Sequence, residues 1–141
     1  DWRDFIIENL NNKHIELYDP RYKSNQLCPA TFTIDDANGV LNSDILLHFR
    51  TRGYEDEGAS WEQGIAFAHN LFSKKGIIKS KEKLIVYADE TSVPFPLHFA
   101  SANLTFNSLE TSVEFLNNIK SLEKFDIMSF YMELMSKERR G

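Results

Sequence analysis

Apolar residues recur along this chain at two spacings, and the alternation between them predicts its architecture. Lys83 to Ala88 (KLIVYA) is an almost unbroken apolar run, the pattern of a buried parallel strand. Asp44-Ile45-Leu46-Leu47-His48-Phe49 reads as a second strand. His14-Ile15-Glu16-Leu17-Tyr18 reads as a third, closed by the turn pair Asp19-Pro20, and Leu104-Thr105-Phe106 as a short fourth. Between them the spacing becomes helical. Trp2, Ile6 and Leu10 align over Trp2 to Asn11, and Trp61, Ile65, Ala68 and Phe72 align after an acidic, glycine-containing loop. Thr33-Ile34-Asp35-Asp36 has the spacing of a helix start, opening a helix to about Asn42 with Ile34, Ala37 and Leu41 on one face and Gly39 weakening it. Asn107-Ser108-Leu109-Glu110 repeats that signal ahead of Leu109, Val113 and Leu116; a last helix, Phe125 to Lys137, aligns Ile127, Tyr131, Leu134 and Met135. Residues 21–30, 73–81 (a basic turn around Gly76) and 89–96 (with two prolines) read as loops.

Strands alternating with helices predict one α/β domain over residues 1–141, with a mostly parallel sheet of four or five strands and helices on both faces. The chain is long enough for one core, and 42% hydrophobic with 13% aromatic residues is a globular composition. Sixteen Lys and Arg against 21 Asp and Glu give a net charge of -5, with no basic stripe, so nucleic acid is not an expected partner. The tail Lys137, Arg139, Arg140 reads as a solvated helix end. A single cysteine, Cys28, allows no intrachain disulfide and fits a reducing compartment. No run approaches the roughly 18 apolar residues of a membrane span, so no membrane partner and a cytoplasmic location are expected. The histidines lack metal-ligand spacing, and no cofactor is called for.

Three acids fall where such a sheet places its ligands: Asp36 before the second strand, Asp56 in the loop after it, and Glu62 in the first turn of the next helix. There, free N–H groups and the helix dipole favour an ionised carboxylate. Gly58 lets a substrate approach the backbone closely. Each acid also has a purely structural reading: a helix-start charge for Asp36 and Glu62, a solvated loop charge for Asp56.

At these residues the chain resembles the nucleoside 2-deoxyribosyltransferases and the related nucleotide N-glycoside hydrolases. Asp35-Asp36-Ala37-Asn38-Gly39-Val40 with Ser43-Asp44-Ile45 is similar to the family's aspartate-bearing helix running into a strand. Asp56-Glu57-Gly58-Ala59-Ser60-Trp61-Glu62-Gln63-Gly64-Ile65-Ala66-Phe67-Ala68 is similar to its nucleophile segment. Pro94-Phe95-Pro96-Leu97-His98-Phe99 corresponds to the segment that reaches a neighbouring subunit. The resemblance implies a flavodoxin- or Rossmann-like three-layer sandwich whose first strand, with a glycine-containing loop, lies ahead of the Trp2 helix.

It further implies that Glu62 attacks the anomeric carbon of a deoxyribose, forming a covalent glycosyl ester that a second base or water resolves. Asp36 exchanges the proton with the base, and Asp56 orients sugar and nucleophile. On this scheme Glu62 is ionised and the shared proton sits on Asp36. Asn38, Gly58, Trp61 and His98 are the candidate substrate contacts, with Trp61 in the core and His98 as a satisfied loop histidine the alternatives. Partners implied are a nucleoside or nucleotide, a free base and further copies of the chain. Pro96 stands where the family carries a base-binding asparagine, a change that cleavage by water survives more easily than transfer, while the resemblance itself keeps transfer to a second base ahead. Cleavage of NAD and a non-catalytic nucleotide-binding module are the competing readings.

Overall fold

The computed structural model describes residues 1–23, 28–53 and 55–140, and the side chains of these except at 23, 32 and 138–140. The first helix, α1 (Trp2–Asn9), is capped by Asp1 and stops short of Asn11. The cause is distal: Asn11 N–H donates to Asn117 Oδ1 (2.7 Å), and Asn12 Nδ2 donates to the carbonyls of Leu116 and Ile119 (2.9 and 3.0 Å). Residues 14–18 then run without a strand partner, so the expected strand is absent. A loop was expected over 21–30, but α2 (Pro20–Lys23) and the start of the next helix at Pro29 take its described ends into helices; its residues 24–27 lie outside the described residues.

Helix α3 (Pro29–Leu41) starts one turn earlier than Thr33, because Pro29 fits the first helical position and Thr33 turns its hydroxyl back onto the Pro29 carbonyl (2.6 Å). Strand β1 (Ile45–Arg50), helix α4 (Glu57–Lys74) and strand β2 (Leu84–Asp89) come next. Pro96 then opens α5 (Pro96–Ser101), a short helix the sequence did not announce, ahead of β3 (Leu104–Phe106). Helix α6 (Leu109–Asn118) is capped by Ser108, and α7 (Lys124–Arg140) ends the chain; the side chains of Arg139 and Arg140 are outside the described set.

The fold is α/β, and among the described residues the parallel sheet has three strands in the order β1-β2-β3, where four or five were expected. In β2, Val86 and Ala88 pack with Phe49, Leu104, Phe106, Ile6, Val113, Leu116 and Ile127, whereas Ile85 packs with Val40 and Ala66. Alternate side chains of a strand face opposite ways, so the helices divide accordingly: α1, α6 and α7 pack with the first group, α3 and α4 with the second.

Helix α4 meets the sheet on a face other than the one its apolar residues predict. Ala59, Gln63, Ala66, His69 and Asn70 are buried, while Trp61 and Phe72 are 46% and 48% exposed. Trp61 is therefore not a core residue. Small alanines let the helix approach closely, and the inward polar groups are all satisfied. Gln63 Oε1 bonds His48 Nδ1 (2.7 Å), its Nε2 donates to the His98 carbonyl and Ser101 Oγ (2.8 Å each), and Asn70 exchanges two bonds with the Lys83 backbone. The face expected on α3 is displaced likewise: Val40 is buried, Ile34 and Leu41 exposed.

On its outer edge β1 has no strand partner among the described residues. Ile45, Leu46 and Leu47 in unbroken succession line a cavity of about 990 Å³. Since consecutive strand side chains point to opposite faces, this cavity runs along the strand's edge. Residues 15–19 form its far wall, which explains why they find no ladder to join.

Candidate active site

Glu62 lines the cavity beside β1, together with Asn38 and Gly39 of α3, Ala59 of α4, Arg3 of α1 and Tyr18 of the partnerless segment. Glu62 does not sit in the first turn of its helix. The helix begins at Glu57 with Asp56 as its cap, which puts Glu62 in the second turn, where N–H groups are already bonded and the dipole's effect has faded. Burial, then the nearby charge of Asp36, push the Glu62 carboxyl up to about 7; Arg3 opposes this and Asp56 adds to it. An ionised Glu62 was expected; burial and the Asp36 charge instead favour its protonated form well above the usual glutamate range.

Asp36 supplies the like charge that Glu62 feels, and its Oδ1 is buried without a hydrogen-bond partner among the described residues. Asp56 is fully engaged. Its Oδ1 accepts the Ala59 N–H (3.0 Å) and its Oδ2 accepts Arg3 Nη2 (2.7 Å). Although burial works against it, those two bonds and the Arg3 charge hold its carboxyl below the usual range. Glu62, Asp36 and Asp56 are thus brought into one electrostatic cluster.

The candidate substrate contacts divide. Asn38 lines the cavity. Gly58 is exposed in the first turn of α4, its Cα side toward Asp56 Oδ1, and Trp61 projects to solvent outside the cavity wall. His98 belongs to a different neighbourhood. Its ring stacks within 4.7–5.4 Å of Phe95, His48 and Tyr87, and its buried Nδ1 has no partner among the described residues. Burial and the Arg50 charge lower its pKa, and burial takes that of His48, 1% exposed, down to about 4. His48 is a core histidine.

Two residues of the cluster have no announcing motif. Tyr18 lies flat against Gly39, where a Cβ would sit 2.5 Å from its ring, and its hydroxyl donates to the Asp35 carbonyl (3.3 Å). Burial, Asp36, Asp35 and Glu62 all raise its pKa, so it remains a neutral donor near the acids. Arg3 carries its charge to the same place. The signal available for it was only the alternation of charge along residues 1–4.

Among the described residues no helix is long and apolar enough to cross a membrane, and no cluster of His, Cys, Asp and Glu is suited to a metal ion. Compared with known proteins, the chain matches no family model, no curated protein and no solved structure.

Proposed function

We propose that this protein is an N-glycosidic enzyme that cleaves or transfers the deoxyribosyl group of deoxyribonucleosides through Glu62. The observation that carries this reading is a carboxyl poised near neutrality beside a second, unpartnered buried carboxyl oxygen, at a cavity the size of a ligand pocket. In the first step a Glu62 carboxylate oxygen bonds to the anomeric carbon as the bond to the base nitrogen breaks. The electron pair leaves with the base, which takes the one proton that the Glu62–Asp36 pair shares, carried by Asp36 in the form that reacts. In the second, the nitrogen of another base or a water oxygen attacks that carbon, the ester breaks, and its electron pair returns to Glu62. The incoming proton passes to Asp36. Asp56, held on two sides, keeps the α4 N-terminus and Arg3 in register with Glu62, and Asn38 and Tyr18 offer hydrogen bonds to the substrate.

The finer architecture we propose is a Rossmann-like sandwich, with the cavity along β1 as the place where a fourth parallel strand would add. Val93, Leu97 and Phe99, exposed around α5, support an assembly of two or more copies through that segment, and the lone exposed cysteine supports a cytoplasmic setting. Incubation with deoxynucleosides and free bases, and separately with NAD, tests the function by chromatography of the released base. Free sugar measures hydrolysis and exchanged nucleoside measures transfer. Release that survives Glu62→Ala would refute the mechanism. Absence of release from every substrate, with nucleoside still bound, would leave a binding module.

A further inference from the structure

The side chain of Arg3 is 16% exposed and engages groups from two separate parts of the chain. Its Nη2 donates to Asp56 Oδ2 (2.7 Å), its Nη1 reaches both carboxylate oxygens of Asp1 (3.3 Å), and its guanidinium carbon lies 4.7 Å from the Trp2 ring centre. Trp2 in turn leans on Phe49 at the end of β1 (centroids 6.1 Å). A planar cation gripped on its edges and covered on its face has little freedom to swing away. The carboxylate it grips is the cap of α4, and Arg3 and Glu62 line the same cavity. Resting on the reading of Glu62 as nucleophile, we propose that Arg3 is a positioning residue of this site: clamped to Asp56 at the head of α4, it holds a fixed positive charge on the wall of the cavity that Glu62 lines and so keeps Glu62 ready to attack.

The groups facing Glu62 come from every element around it. Asp36 stands on α3, Asp56 at the head of α4 and Arg3 on α1, with Tyr18 on the segment across the cavity; His14, Glu16, Asp19, Asp35, Asp44 and Lys120 line the same space. Arg3 is the one cation among those that act on Glu62 directly. Asp19, which also feels the Arg3 charge, is held by Arg21 (2.7 Å). The clamp has a consequence that packing alone lacks: removing its positive and negative halves must move Glu62 in opposite directions.

The test is the titration of Glu62, followed by NMR of the full chain with glutamate labelled at the side-chain carboxyl carbon, in the wild type and in Arg3→Gln, Arg3→Lys and Asp56→Asn. Arg3→Gln is expected to raise the midpoint by roughly one pH unit, the low end of what losing a neighbouring opposite charge does. Arg3→Lys should return it toward the wild-type value, and Asp56→Asn should lower it. A folded Arg3→Gln protein with an unmoved midpoint would overturn the proposal. If that variant does not fold, a midpoint in Asp56→Asn at or above wild type would do so. The acid limb of kcat for base release should follow the same order with KM little changed. A wild type that releases no base while the midpoints move as stated would remove the glycosidic reading and leave the charge clamp standing; active protein with unmoved midpoints would do the reverse.

Discussion

Replacing Glu62 by glutamine should make the protein more stable and inactive, and the size of the gain should depend on pH. The folded protein raises the Glu62 carboxyl from 4.5 to about 7, so between those values the folded state binds more protons there than the unfolded chain does. Its contribution to stability is fully present below about pH 4.5 and is lost as pH rises through about 7. At about 1.4 kcal/mol per pH unit, ionising Glu62 costs the fold at most roughly 3 kcal/mol at pH 8, and under about 1 kcal/mol at pH 5. Glutamine keeps the shape and escapes that cost. Urea unfolding of wild type and Glu62→Gln, with the slope against urea unchanged, reads the difference as a shift in midpoint concentration. A clear gain for the variant at pH 8 that shrinks at pH 5 is the expected outcome. Equal midpoints at pH 8, or the same gap at both pH values, would refute the account of a buried charge held beside Asp36.

Asp36→Asn removes the like charge, so the Glu62 midpoint should fall toward the ordinary glutamate range; carboxyl NMR would register it, and base release should drop even where Glu62 is ionised, because the proton donor is gone. Gly39→Ala puts a methyl 2.5 Å from the Tyr18 ring and should cost about 1–3 kcal/mol in urea unfolding, with a change in tyrosine fluorescence as the ring moves off α3. Phe115→Ala empties a site at 0% exposure between Phe106 and Phe130 and should cost about 3–5 kcal/mol, measured as a lower thermal midpoint with the catalytic pH profile unchanged.

What could be read in the sequence was whatever local chemistry decides. Helix α6 announces itself through Ser108, whose side chain accepts the Thr111 N–H (3.1 Å), and through Leu109, Val113 and Leu116, all buried. The run from Leu84 to Ala88 is the buried strand it looks like. Residues 14–18 have the composition of a strand, but a strand requires a neighbour, and the cavity lies where that neighbour would pair. Helix α4 misleads because Gln63, His69 and Asn70 turn inward to partners far along the chain, which no helical periodicity of apolar residues records. That Asp36, Asp56 and Glu62 come near one another was legible; the state of Glu62 was not. That state depends on where the helix begins, on burial, and on Arg3, which reaches Asp56 across 53 positions of sequence.

The position of β2 between the other two strands also bears on how the chain folds. β1 and β3 share no ladder, and each meets β2 only after a helix-bearing connection: α4, 18 residues long, for the first pairing, and α5 for the second. No strand pair can therefore form as a local hairpin, and every sheet bond waits on the closure of an intervening segment. Helices that carry their own caps, α4 through Asp56 and α6 through Ser108, can develop helical structure before that closure. Both ladders are built on β2. A substitution that keeps β2 from its place takes both ladders with it, leaving no half-sheet to persist as an intermediate.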